Sequence, residues 1–342
     1  MWLATALALF AGLTCAPARA TQPPAPRQIL FIGNSFMYAA GSPAQAFRPG
    51  SVTDLNGTGT GGVPAIVRAM LAESGRDDQV SLELHGGVGL DWHLMERRQQ
   101  IASRPWDVVV MQGYSTLDKE HPGDPTLLEA TVQEMAEHLV ADNPRVDLRL
   151  MQTWPRADQV YPASGHWHGQ SPADMARDLR HAYDEAAALT PTVRGVIPVG
   201  DAFVRAMREG VADDNPYDGI ARGRVDLWGD DHYHASTAGY YLEALVIFGA
   251  LTGEDPRKLG TGECAAIELG MAPALRTSLQ AVAAAELRAS HLLRGAPGPG
   301  QAGSKKGSTS TGRPHSNASA TMRSGATSTS LAPAATSRAK CS

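Results

Sequence analysis

Two short runs, Ile29 to Ile32 and Val108 to Met111, are apolar at every position rather than at alternate ones. Four consecutive apolar residues bounded by turn-forming neighbours suit a fully buried strand, and the valines at 108–110 add β-branched preference. Such strands belong in a sheet that helices cover on both faces. The segments between them agree. Val63 to Glu73 carries apolar residues at helical spacing, Gln79 to Leu84 alternates as a strand, and Leu90 to Ala102 reads as helix. Beyond Trp106 to Met111 come a helix over 126–140, a strand over 146–151, a helix over 171–189 started by Ser171 and Pro172, and a strand over 193–199. A short helix over 202–207, a longer one over 237–251 capped by Ser236, and one or two over 263–293 follow. Strands alternating with helices at this spacing imply βαβ units and a parallel sheet of about five strands. No internal repeat is present, and 25–293 reads as one α/β domain.

The flanks differ in character. Residues 2–13 are apolar and Ala18-Arg19-Ala20 fits a small-residue cleavage site, although no Lys or Arg precedes the apolar run. Residues 1–20 are therefore expected to be a signal peptide and the product secreted or periplasmic. Residues 295–342 are Gly, Ser, Thr, Ala and Pro with six basic residues and no acid, which predicts a disordered low-complexity basic tail. The chain as a whole carries −5, so without this tail and Arg19 the body carries −12, which argues against a nucleic-acid surface. No later stretch reaches the roughly 18 apolar residues of a membrane span, so no stable insertion is expected after cleavage. Cys264 and Cys341 then remain. They make no disulfide framework, and the sequence gives no support to a bridge between them.

Gly33 lets the backbone turn as the first strand leaves the sheet. Ser35 then stands at the strand's carboxyl end, where open α/β sheets place their ligands. Far along the chain, Leu227 to Tyr241 reads LWGDDHYHASTAGYY, with Asp231 and His234 three residues apart. That separation lets a carboxylate orient an imidazole whose other nitrogen faces a nucleophile, so Ser35, Asp231 and His234 could form a catalytic triad. A serine that forms a turn, and an Asp and His that cap helices, fit the same letters. His232 and His234 beside Asp230 and Asp231, with His166 and His168 at the same spacing, raise a metal-dependent hydrolase as another reading. That reading leaves Gly33-Asn34-Ser35 without a role. No cofactor-binding fingerprint is present: Gly57 to Gly62 follows no strand and lacks the Lys of a phosphate loop.

Gly33-Asn34-Ser35 after strand one, and Asp231-x-x-His234-x-Ser236 before a late helix, resemble the SGNH (GDSL-like) hydrolase superfamily. The Gly-Asn-Ser form and Gly239-Tyr240-Tyr241-Leu242 resemble a bacterial branch of it. The resemblance implies a flavodoxin-like three-layer α/β/α sandwich, and a serine esterase without cofactor that acts on carboxylic esters, often acetyl esters of carbohydrates. Ser35 would be the nucleophile, His234 the base and Asp231 its orienting acid. The oxyanion hole would comprise the N–H groups of Ser35 and of a glycine among Gly86, Gly87 and Gly89, with Gly87 favoured, and a side-chain donor after strand three. The family's asparagine is absent there. Gln112-Gly113-Tyr114-Ser115 is closer to the Gln-Gly-Glu-Ser of sialate O-acetylesterase-like members, which makes Gln112 the expected donor and Ser115 its rival. The expected partner is a small-molecule or glycan ester. A non-catalytic carbohydrate-binding protein on the same fold, with Trp92, Trp154 and Trp167 stacking on sugars, is a further reading.

Overall fold

Strand β1 (Gln28–Gly33) lies inside the sheet because every residue from Ile29 to Gly33 is buried, with no polar face to offer solvent. The computed structural model describes residues 26–294 and 341; the expected leader (1–20) and, Cys341 apart, the tail (295–342) lie outside the described residues. The other strands are β2 (Thr53–Asp54), β3 (Gln79–Leu84), β4 (Val108–Met111), β5 (Asp147–Met151) and β6 (Val193–Ile197). They form one sheet, all parallel, in the order β2-β3-β1-β4-β5-β6. The expected count of about five is one short. The additional strand, β2, is two residues on the sheet edge, too short to show a period.

Among the described residues the helices are α1 (Ser35–Tyr38), α2 (Gly62–Glu73), α3 (Leu90–Glu96), α4 (Arg98–Ile101), α5 (Thr126–Asp142), α6 (Ala157–Val160), α7 (Pro172–Leu189), α8 (Val199–Arg208), α9 (Thr237–Thr252), α10 (Cys264–Glu268) and α11 (Pro273–Ala289). The expected single helix over 90–102 breaks at Arg97, whose φ of −127° is not helical. Side chains alternate across the sheet as pleating demands. Ile29 and Phe31 enter a core with α2, α8, α9 and α11, while Leu30 and Ile32 enter a second core with α3, α5 and α7. The result is a three-layer α/β/α sandwich. Helix α9 is buried from Ala238 to Thr252, consistent with its apolar composition on all sides. None of the described helices is long and apolar enough to cross a membrane.

β1 pairs with β3 on one side and β4 on the other, so the chain changes direction across the sheet at β1. The crevice at the carboxyl end of such a strand is where this class of sheet binds ligands. Outside the sheet, Cys264 and Cys341 are joined by a disulfide, with Cα atoms 5.3 Å apart. The sequence leaves such a bridge possible without supporting it. A spacing of 77 residues carries no geometric information by itself.

Candidate active site

The turn that carries Ser35 is fixed by its neighbour. Asn34 caps α1, its Oδ1 accepting the Phe36 N–H at 3.2 Å, while its amide nitrogen donates to the carbonyls of Val88 (2.9 Å) and Gly113 (3.2 Å). One side chain thus ties the β1 turn to the loops after β3 and β4. A Cβ at position 33 would lie 2.8 Å from Gln112 Oε1 and 2.9 Å from Met37 Sδ, so a larger residue would have to displace these side chains. On the opposite side, the Tyr240 hydroxyl in α9 donates to the carbonyls of Ala40 (3.1 Å) and Ser35 (3.4 Å).

Asp231 and His234 form the pair expected from their spacing. Asp231 Oδ1 accepts the N–H groups of Tyr233 (3.0 Å) and His234 (2.8 Å), which leaves Oδ2 directed at His234 Nδ1, 2.6 Å away. His232 takes a left-handed φ of 55° inside this turn. Partial burial works to raise the Asp231 pKa, but the hydrogen bonds from the His234 ring and from these two N–H groups outweigh it and hold the carboxyl below its usual range. His234 Nε2 is buried and has no partner among the described residues. The loop is anchored to the fold by Trp154, whose indole N–H donates to the Tyr233 carbonyl at 3.2 Å, and by Gly229 N–H to the His234 carbonyl at 2.7 Å.

The Ser35 turn and this loop meet at the carboxyl edge. The Phe36 ring lies 3.9 Å from Trp154, 5.6 Å from Tyr233 and 6.0 Å from the His234 imidazole, centroid to centroid. Among the described residues no hydrogen bond joins Ser35 Oγ to His234 Nε2. Catalytic hydrogen bonds are often long before substrate arrives.

Gln112 departs from its expected role. It is fully buried; its Oε1 accepts the Asn34 N–H at 3.3 Å, and its amide nitrogen donates to the Gly113 carbonyl. The amide oxygen and one of its two N–H groups are used inside the protein, so Gln112 braces the turn. Its rival Ser115 is buried, and its Oγ accepts from Arg156 Nη1 at 3.1 Å. Arg156 is in turn held by Asp158 and lies over the Tyr233 ring, 3.5 Å from its centroid. Gly87 occupies an exposed turn with φ of 73°. Among the described residues, neither its N–H nor that of Ser35 has an acceptor. The sequence provided no signal for Arg156; it marked Tyr240 only within the Gly239-Tyr240-Tyr241-Leu242 stretch and Trp154 only as a possible sugar platform, not as the braces of this edge that they are.

The tryptophans divide. Trp154 and Trp167 are buried, Trp154 between Phe36 and Phe203, so neither is placed to stack on a sugar. Trp92 is half-buried and stacks on the exposed His85 at 4.3 Å. Of the histidines weighed as metal ligands, His232 packs on Tyr217 and His168 Nδ1 lies 3.1 Å from the Tyr161 carbonyl. Among the described residues no group of three or more His, Cys, Asp or Glu side chains is arranged to hold a metal ion. A cleft of about 170 Å³ opens beside α1, lined by Tyr38, Gln45, Thr58, Thr60, Leu84, His85 and Gly86.

No family model matches the sequence, and no curated protein does. Solved structures do. A DUF4886 family protein from Bacteroides uniformis is 18% identical, with 78% of this chain and 97% of that one covered at a TM-score of 0.52. A protein from Slackia heliotrinireducens named as a putative SGNH hydrolase is 24% identical (65% and 97% covered, TM-score 0.44). A variant of a Geobacillus acetyl-xylooligosaccharide esterase is 17% identical (65% and 92% covered, TM-score 0.43). At these identities the first likeness establishes the fold. The parallel three-layer α/β/α architecture expected from the motif resemblance to the SGNH superfamily is the architecture of this chain.

Proposed function

We propose that this protein is a serine esterase that hydrolyses carboxylic esters, acetyl esters of a carbohydrate in particular, through an acyl-enzyme on Ser35. The observation that carries the reading is the Asp231–His234 pair: Nδ1 is held at 2.6 Å and Nε2 is buried, unpartnered and one aromatic ring away from the Ser35 turn. In this mechanism Ser35 Oγ attacks the ester carbonyl carbon while His234 Nε2 takes its proton. The tetrahedral intermediate collapses, the leaving alcohol takes that proton, and water repeats the sequence to release the acid. Asp231 holds the imidazole in the tautomer with a proton on Nδ1. The free N–H groups of Ser35 and Gly87 are the backbone oxyanion donors. With the Gln112 amide engaged, Ser115 is the proposed side-chain donor, because its oxygen accepts from Arg156 and its own proton remains to be given.

The cleft beside α1 is not lined by Ser35 or His234 themselves; its walls offer the hydroxyls of Tyr38, Thr58 and Thr60 and the amide of Gln45, groups that suit a hydrophilic alcohol. Export to the periplasm or exterior, supported by residues 1–20, would place such an enzyme with polymeric or oligomeric glycans. The test is hydrolysis of p-nitrophenyl acetate and of acetylated sugars. Wild-type turnover with none in Ser35→Ala or His234→Ala, at unchanged far-UV circular dichroism, is expected. Full turnover by Ser35→Ala overturns the proposal.

A further inference from the structure

A second carboxylate–imidazole pair lies beneath the proposed nucleophile, and it ends on a carbonyl rather than on a hydroxyl. Glu83 of β3 and His93 of α3 are both fully buried. Glu83 Oε2 is in direct contact with His93 Nδ1, and His93 Nε2 is 2.9 Å from the carbonyl oxygen of Gly33. Because that carbonyl can only accept, Nε2 must carry a proton. Arg97 Nε lies 3.8 Å from Glu83 Oε1, and the Trp92 ring meets His93 edge-on at 5.3 Å.

The Gly33 carbonyl also accepts the His85 N–H at 3.1 Å. The nitrogen of the same peptide unit, Asn34 N, donates to Gln112 Oε1. The Gly33–Asn34 peptide, one unit before the Asn34–Ser35 peptide that carries the Ser35 N–H, is therefore clamped at its oxygen by α3 and the β3 loop, and at its nitrogen by the end of β4. Together with the Asn34 side chain, held by the carbonyls of Val88 and Gly113, this peptide fixes the start of the turn from which Ser35 projects. Burying an ionisable pair completely carries a desolvation cost that two apolar side chains of the same volume would avoid. The neighbouring core-facing residues of α3, Leu90 and Leu94, are such side chains.

We infer that Glu83 and His93 are positioning residues, which hold the Gly33–Asn34 peptide so that Ser35 presents its hydroxyl and N–H to substrate. This rests on Ser35 being the nucleophile. His93→Leu removes the donor. His93→Gln restores an N–H at the ε position while losing the link to Glu83. Misplacement of a reacting group by about 1 Å can cost about 10²-fold, so His93→Leu should lower kcat by about that factor with KM little changed. Its rate of labelling by a fluorophosphonate should fall in parallel. His93→Gln should recover most of kcat even though its Tm stays low. If His93→Leu does not fold, His93→Asn, too short to reach Gly33, takes its place. Normal kcat and labelling in folded His93→Leu or His93→Asn overturns the inference, as does a kcat in His93→Gln no better than theirs. Ser35→Ala separates the two proposals. If it is active, the nucleophile assignment falls and this inference with it; if it is inactive while His93→Leu turns over normally, only the positioning role falls.

Discussion

Phe36 and Trp154 stack with ring centroids 3.9 Å apart and planes 20° apart, and this contact joins the two halves of the candidate site. Phe36 follows Ser35 directly, and Trp154 holds the Tyr233 carbonyl one residue before His234. Trp154 also stacks on Phe203 of α8, so the junction is rooted in the core rather than in the loops it connects. Serine and histidine are 199 positions apart in sequence, and one aromatic stack sets their separation in space.

Trp154→Ala should destabilise the protein by about 3–5 kcal/mol, the usual cost of emptying a large aromatic site in a core. Trp154→Phe keeps the stack and loses the hydrogen bond to Tyr233. It should cost less stability while slowing p-nitrophenyl acetate turnover. Urea unfolding alongside kcat for both variants checks this; equal losses of stability would show that ring size is not what the site needs.

Asp231→Asn keeps the shape of the turn, since an amide oxygen can still accept the N–H groups of Tyr233 and His234. It withdraws the charge that stabilises a protonated His234. In a triad, the neutral substitute costs up to about 10⁴ in kcat. A fall of at least about 10² in kcat with only a small loss of Tm is the expected outcome here, measured with the same ester. A variant as active as wild type would remove Asp231 from the mechanism.

Gln112 and Ser115 should separate by type of defect. Gln112→Met leaves the Asn34 N–H buried without its acceptor, at about 1–3 kcal/mol of stability. Ser115→Ala deletes a hydroxyl whose oxygen serves only Arg156, so stability should change little. If Ser115 supplies an oxyanion donor, kcat should fall by about 10²–10³ with KM nearly constant. Chemical denaturation and steady-state kinetics on the two variants give four numbers. A kcat loss in Gln112→Met alone would return that role to the glutamine.

How much of this was legible from the chain depends on the range of the interaction. Ile29–Ile32, Val108–Met111 and the Ser171-Pro172 start of α7 are local patterns, and each lies where its spacing predicts. The Asp231–His234 contact was legible for the same reason, since the three-residue turn closes on itself. β2 is two residues whose pairing with β3 is purely tertiary, and no periodicity announces it. Gln112 illustrates the remaining limit. Its amide could have served a ligand or the fold, and what decides is where Asn34 N–H and the Gly113 carbonyl stand around it. Glu83 and His93 are ten residues apart on a strand and a helix, so their pairing exists only once α3 has packed on the sheet.

Glu243 yields a prediction that is independent of catalysis. It lies in the middle of α9, fully buried, and neither carboxyl oxygen has a partner among the described residues. Burial pushes its pKa well above the ordinary 4.5 because the charged form would be desolvated. The native state therefore keeps this proton at a pH where the unfolded chain has released it. Below about pH 4.5 both states hold it and the group adds no pH dependence. As pH rises, unfolding becomes coupled to proton release, and stability falls by up to about 1.4 kcal/mol per pH unit until the native pKa is reached. Glu243→Gln resembles the protonated acid and has no such linkage. The variant should match wild type near pH 4 and exceed it increasingly at pH 6 and pH 8, as read by urea midpoints at the three values. Parallel stability curves across that range would mean that Glu243 ionises in the folded protein as it does in the unfolded one.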